Sequence, residues 1–208
     1  KYLKHTDYSL SNDYDLADMY YLSKEYPAAI ALATKILERE GETAQARLYK
    51  MIAYSYDEAG DKDKAWEFLN AYFIKEKPEQ FVARDYEFKA KLLMTKPGNE
   101  NEMIGNFIKA FSLDTLQERK AEFAKVLAET YGKMKDYNSQ AIWLGRVYEL
   151  KKAHTNVDLF NWGLAHYKAG NNIVADSIFA KYTERYPTNI FGYYWRAQVN
   201  AAIDTTLE

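Results

Sequence analysis

The sequence contains no cysteine, which excludes disulfide bonds, thiol nucleophiles and thiolate metal sites. Its longest uninterrupted apolar run, residues 28–33, is far shorter than the roughly 20 residues that a membrane-spanning helix needs. The 28 basic and 30 acidic residues are well mixed, and no block of like charge occurs. We therefore expect no membrane insertion of this segment and no binding of nucleic acid or anionic membranes.

Glycine and proline are also scarce, with 9 and 4 residues in a chain of 208, so long helices are compatible with the composition. Aromatic residues are abundant instead, with 19 Tyr, 10 Phe and 4 Trp. A tyrosine ring can cover apolar area while its hydroxyl group reaches water, which suits helices that are buried on one side only. We expect most of these rings to lie in the core.

A pair of small residues recurs along the chain, with about a dozen positions between its members. These pairs are Ala17 and Ala29, Ala53 and Ala65, Ala128 and Ala141, and Gly163 and Ala175. Small residues so spaced predict two successive helices whose backbones approach closely where they cross. A degenerate copy around Ala90 and Met103 brings the intervals between equivalent second-helix positions to 36, 38, 38 and 34 residues. The chain is therefore predicted to be an array of helical hairpins.

The best copies read Trp162-Gly163-Leu164-Ala165-His166 before Ala175, and Ile52-Ala53-Tyr54-Ser55-Tyr56 before Ala65. This pattern resembles the tetratricopeptide repeat. The resemblance implies an all-α fold, a right-handed superhelix (α-solenoid) of antiparallel helix hairpins that forms a single domain over residues 1–208. The expected repeats cover residues 11–43, 46–78, 83–114, 121–154 and 156–188, followed by an additional C-terminal helix at 190–203.

In this family the first helix of each pair builds a concave inner face, and the resemblance implies that a protein or peptide binds there. Tyr54 stands where the family members that bind acidic chaperone tails need asparagine, so we expect no binding of that type. The residues predicted to line the concave face are Tyr14, Asp18, Tyr21, Arg47, Lys50, Tyr54, Asp57, Lys125, Glu129, Phe160, Leu164 and Tyr167.

An enzymatic function finds no support in the sequence. The three histidines, His5, His154 and His166, are dispersed, and no nucleotide-binding glycine loop, zinc-binding helix or nucleophile elbow occurs. We expect no catalytic residues, no metal and no cofactor. The alternative to a binding scaffold is a structural spacer or oligomerisation segment of a larger protein, with self-association through the aromatic helix around Trp195.

The first residue is Lys1, and the first ten residues lack the apolar core of a signal peptide. We expect the chain to be a piece of a longer protein, with residues 1–10 belonging to the tail of a preceding element. The general character of the repeats suggests a bacterial source, and the sequence leaves cytoplasm and periplasm equally open.

Overall fold

The computed structural model describes residues 10–204, and the expectations for His5 and for the other residues before Leu10 lie outside this range. The described residues form α-helices that alternate with short turns, and none of them lies in a β-strand. The helices are α1 (Leu10–Leu22), α2 (Tyr26–Glu40), α3 (Ala46–Glu58), α4 (Lys62–Lys75), α5 (Ala83–Leu93), α6 (Glu100–Leu113), α7 (Gln117–Lys133), α8 (Tyr137–Leu150), α9 (Asn156–Lys168), α10 (Asn172–Arg185) and α11 (Ile190–Asp204). This all-α architecture of successive helices confirms the predicted fold class.

The described residues group into two compact units. The first contains the residues up to Phe81 together with Lys91–Lys96, and the second contains Val82–Ala90 and the residues from Pro97 onward. The first unit thus holds the helix pairs α1–α2 and α3–α4, and the second holds α6, α7–α8, α9–α10 and α11. The residues of α5 are divided between the two units. The assignment of residues 1–208 to a single domain stays a prediction.

The small residues lie where the helices of a pair pack together, as their spacing predicts. Ala17, Ala29, Ala53 and Ala65 of the first unit are all fully buried. Gly163 leaves room for the ring of Phe179, because a Cβ atom added at this glycine would lie only 3.0 Å from the ring. Larger side chains at these positions would therefore push the paired helices apart.

The helices α4, α8 and α9 begin at residues whose side chains accept a hydrogen bond from a first-turn N–H group. The Asp61 carboxylate accepts a hydrogen bond from the backbone N–H of Lys64 at 3.0 Å, and Asp136 accepts one from Ser139 at 3.1 Å. Thr155 and Asp158 form a reciprocal capping box at the start of α9. Such caps are typically worth about 1 kcal/mol each, so they help to fix the register of the hairpins.

The turn inside a pair requires a left-handed backbone residue. Gly60 and Gly170 occupy this position with φ of 88° and 78°, whereas Lys24 and Lys135 adopt φ of 61° and 59° in the corresponding turns of their pairs. Glycine enters this region without steric cost, and a lysine there is strained. The same chain reversal is thus maintained even where the sequence lacks glycine.

Side chains from successive pairs bond to each other at almost constant sequence separation. In the first unit, Lys75 donates to the backbone oxygen of Glu42 at 2.7 Å, 33 residues away. In the second unit, Asn171, just before α10, donates to Asn138 of α8 at 3.0 Å, 33 residues away. Lys152, just after α8, pairs at 2.7 Å with Glu118 at the start of the same pair α7–α8, 34 residues away. Within each unit, then, the neighbouring pairs bond to each other through positions about one repeat apart.

Candidate functional site

The second unit contains a cavity of about 670 Å³ between α7 and α9, with α8 packed against both helices. Its size is within the range of small-ligand and peptide pockets. The apolar lining residues are Ala121, Ala128, Leu144, Val147, Val157, Leu164 and Ala165. The polar and charged lining residues are Glu122, Lys125, Glu129, Gln140, Lys151, Thr155, Asp158, Asn161 and Lys168.

Two of the charged lining residues hold the local structure together. Lys151 donates to both carboxylate oxygens of Asp158 at 2.7 and 2.8 Å, and Asp158 also accepts from the backbone N–H and the hydroxyl of Thr155. Burial would raise the pKa of Asp158, but the bonds from Lys151 and Thr155 outweigh it and lower the pKa. The carboxylate of Asp158 is thus anionic, and the ammonium group of Lys151 balances its charge.

The charges on the α7 side are more accessible. Lys125 and Glu129 lie 3.9 Å apart, with 70% and 60% of their side chains exposed. An exposed pair of this kind contributes little to stability, so a ligand can displace it at small cost. Asn161, across the cavity on α9, is also exposed.

The structure brings three of the predicted site residues, Lys125, Glu129 and Leu164, together in this cavity. Phe160 and Tyr167 do not line it. Their rings contact Trp195 of α11, at centroid distances of 6.2 and 5.6 Å. They belong to the stripe of α9 that packs against α11, because positions 160 and 167 are offset from the stripe that faces the cavity.

The cavity-facing stripe of α9 also contains residues that the sequence interpretation missed. Val157, Asn161, Leu164 and Lys168 follow each other at intervals of four, three and four positions, which places them on one face of a helix. Helical spacing from Leu164, which the sequence analysis did predict, identifies the other three residues. A smaller apolar pocket of about 350 Å³ adjoins the stripe, and it is lined by Asn156, Val157, Phe160, Tyr182, Asn189 and Phe191.

In the first unit, the predicted residue Tyr14 is part of the core, with only 4% of its surface exposed. Its hydroxyl donates to Glu40 at 2.6 Å and accepts from the backbone N–H of Gln45 at 3.1 Å. Burial, together with Glu40, raises the pKa of this phenol. The guanidinium group of Arg47 stands 5.0 Å from the centre of the Tyr14 ring and pairs with Asp18. A shallow cavity of about 680 Å³ is lined by Tyr14, Asp15, Arg39, Glu40, Thr43, Gln45 and Arg47.

The other predicted residues of the first unit also interact with the protein. The ammonium group of Lys50 lies 4.7 Å from the centre of the Tyr72 ring and donates to its hydroxyl at 3.2 Å. Asp57 accepts a hydrogen bond from Lys62 at 2.5 Å. The remaining two predicted residues, Tyr21 and Tyr54, are half-buried. Partner binding by these residues stays a prediction.

Over residues 10–204, no cluster of three or more His, Asp or Glu side chains could hold a metal ion. None of the helices in the described part of the chain is both long enough and apolar enough to cross a membrane.

His166 titrates differently from an exposed histidine, because burial lowers its pKa and, within residues 10–204, its buried Nδ1 atom has no hydrogen-bond partner. A native-state pKa below the unfolded value means that the unfolded chain binds the proton more readily. Above the unfolded pKa, near 6.5, His166 should therefore not lower the free energy of unfolding. As the pH falls below that value toward the native pKa, the free energy of unfolding should decrease.

We expect the His166→Tyr variant to lose this pH dependence, because tyrosine occupies the corresponding position in other copies as Tyr56 and Tyr131. The measurement is the free energy of unfolding in urea between pH 5 and pH 7.5. His5 and His154 are present in both proteins, so the difference between the two pH profiles isolates His166. Parallel profiles would contradict the assignment.

No known protein-family model matches the sequence, and no curated protein sequence matches it. Similar folds do occur among solved structures. The C-terminal part of a TPR repeat-containing protein from Cytophaga hutchinsonii is 24% identical, with a TM-score of 0.57 over 92% of this chain and 72% of that one. YrrB, a TPR protein with an unusual peptide-binding site, is 14% identical, with a TM-score of 0.60 over 88% of this chain and 89% of that one. A chain in the structure of Naa15/Naa10 bound to HypK-THB is 16% identical, with a TM-score of 0.60 over 84% of this chain and 25% of that one. The chain therefore shares the fold of these proteins.

Proposed function

We propose that this chain, which has the tetratricopeptide-repeat fold, is a non-catalytic protein-interaction scaffold that binds an extended segment of a partner protein between α7 and α9. The observation that carries the proposal is the cavity of about 670 Å³ there, which combines an apolar floor with exposed charged and amide groups at its sides. A surface of this composition suits a peptide, because a peptide presents apolar side chains and main-chain polar groups together.

Asn161 has the central role in this proposal. Its side-chain amide offers both an N–H donor and a carbonyl acceptor, the pair of groups that a peptide unit needs. On the facing helix, Lys125 and Glu129 supply one charge of each sign. The known structures are consistent with such a role, since YrrB has a peptide-binding site and the Naa15/Naa10 structure contains the bound HypK-THB.

The test starts from a random 12-residue peptide library displayed on phage and selected on the immobilised chain. We expect selected synthetic peptides to bind with dissociation constants in the micromolar range. The Asn161→Ala variant should weaken this binding about 5- to 150-fold, since a lost hydrogen bond with an unsatisfied partner costs about 1–3 kcal/mol. Lys125→Ala should weaken it by a smaller factor, because an ion pair made by an exposed lysine contributes only about 0–1 kcal/mol. Binding is measured by fluorescence anisotropy.

Two matched variants control for indirect effects. Asn101→Ala and Lys181→Ala make the same chemical changes at exposed positions of α6 and α10 that do not line the cavity. Both should bind the peptides like the unmodified chain. A library that yields no binding peptide, or peptides whose affinity is equal for Asn161→Ala and Asn101→Ala, would refute the proposed site.

A second function, self-association, is favoured by the exposed apolar side chains of α11. Ile190, Tyr193 and Tyr194 are 74%, 52% and 56% exposed, although the helix buries Gly192 and Val199. We expect sedimentation velocity to show a concentration-dependent dimer that the double variant Tyr193→Ser, Tyr194→Ser abolishes. A monomer at every concentration up to about 100 µM would exclude this role.

A further inference from the structure

The groove of the second unit extends beyond the cavity between α7 and α9. The smaller pocket shares Val157 with the larger cavity, so this residue borders both spaces. The side chain of Val157 is itself 55% exposed. One extended ligand could thus occupy both spaces across α9.

The two spaces differ in chemistry. The larger cavity is lined by three acidic and three basic side chains, Glu122, Glu129, Asp158, Lys125, Lys151 and Lys168, so its net charge favours neither sign of ligand. The smaller pocket has walls formed by Val157, Phe160, Tyr182 and Phe191, with asparagine side chains at positions 156 and 189. Discrimination between ligands should therefore come from the apolar pocket.

The walls of the smaller pocket are firmly positioned. Tyr182 is only 2% exposed, and a Cβ atom on Gly192 would overlap its ring and the methyl group of Thr183. The backbone of α11 therefore lies directly on α10 beside Phe191. Phe160 is held by ring contacts with Phe179 and Trp195 at 6.2 Å each. Little ordering is needed when a ligand side chain enters, which favours affinity.

Phe191 forms the outer wall and is 58% exposed. A volume of about 350 Å³ is at the lower end of the range for ligand sites, which fits one large side chain and not a cofactor. A side chain inserted beside Phe191 would remove apolar surface of both partners from water, the main source of affinity at such contacts.

We propose that the ligand of this groove is an extended peptide that inserts one large apolar side chain, aromatic or long aliphatic, between Phe160 and Phe191, while its adjacent backbone crosses Asn161. This proposal rests on the proposed function of the cavity between α7 and α9. It adds the class of ligand that the groove selects.

The test uses the peptides selected from the 12-residue phage library on the full chain. The selected sequences should share one large apolar residue, and replacing that residue by alanine in the synthetic peptide should weaken binding about 10- to 100-fold, the factor for burial of one such side chain. The Phe191→Ala variant should bind the unmodified peptide about tenfold more weakly than the unmodified chain does. It should bind the alanine-substituted peptide with the same affinity as the unmodified chain, because the two changes remove the same contact.

Ile173→Ala is the matched control, since Ile173 is 76% exposed on α10 and lines neither space. It should bind the peptide like the unmodified chain. Selected peptides without a shared apolar residue, or equal affinities for the Phe191→Ala and Ile173→Ala variants, would overturn the apolar anchor. If Asn161→Ala still abolished binding in that case, the proposed function of the larger cavity would stand.

Discussion

Replacing Phe179 by alanine should lower the free energy of unfolding of the second unit by about 3–5 kcal/mol, the usual cost of removing a fully buried aromatic ring. Phe179 has no exposed surface and lies in a cluster with Ala175 and Val199. Its ring stacks on Trp195 at 6.3 Å and fills the space that Gly163 leaves open. Alanine would leave a cavity where α9, α10 and α11 meet.

The measurement is urea unfolding followed by circular dichroism and tryptophan fluorescence. Phe191→Ala is the same substitution at a phenylalanine that is 58% exposed. It should lower the free energy of unfolding by less than about 1 kcal/mol. Similar losses for the two variants would show that Phe179 is not central to this core. A loss of less than about 1 kcal/mol for Phe179→Ala would show the same.

Arg119 should be the most important charged residue of the second unit. It donates to Asp114 at 2.6 Å and to Glu87 at 2.7 Å, and only 25% of its side chain is exposed. Hydrogen bonds to Asp114 and Glu87 raise the pKa of Arg119. Burial would raise the pKa of Asp114, yet the bonds from Arg119 and from nearby backbone N–H groups lower it.

We expect Arg119→Met to cost about 2–3 kcal/mol at pH 7, somewhat less than the 3–5 kcal/mol for a fully buried pair, because two carboxylates lose their shared partner. The lowered native pKa of Asp114 means that its contribution is present above the unfolded value of 3.8 and is lost as the pH falls through the native pKa. The difference between variant and unmodified chain should therefore shrink below about pH 4.

Arg146→Met is the control, because Arg146 pairs with Glu149 at the surface, where both side chains are more than half exposed. This variant should change the unfolding free energy by less than about 0.5 kcal/mol. An equal effect of the two arginine variants, or a difference that does not depend on pH, would contradict the role assigned to Arg119.

The hairpin architecture was predictable because close helix crossings demand small residues, and Ala53, Ala65, Gly163 and Ala175 are small for that reason. These signals are local, since each depends on a contact within one helix or one pair.

The proposed binding face was harder to predict because it depends on which neighbouring helix each stripe of a helix contacts. On α9, two adjacent stripes carry apolar residues. The bulkier one, with Phe160 and Tyr167, packs against α11, and Phe160 also lines the smaller pocket. The stripe with Asn161 faces the cavity instead. Tyr14 likewise lies in the core because Glu40 and Gln45, far away in sequence, satisfy its hydroxyl. Such distant partners leave no periodic signal.

The bonds between positions about one repeat apart have an evolutionary consequence. Because Asn171 reaches Asn138 and Lys152 reaches Glu118 across 33 and 34 residues, duplicating or deleting one whole helix pair would return equivalent residues to the same distance. An insertion of one or two residues inside a helix would instead rotate its faces by 100° or 200° and separate these partners. Selection on the length of this protein should therefore act in steps of one pair, with small length changes confined to the turns.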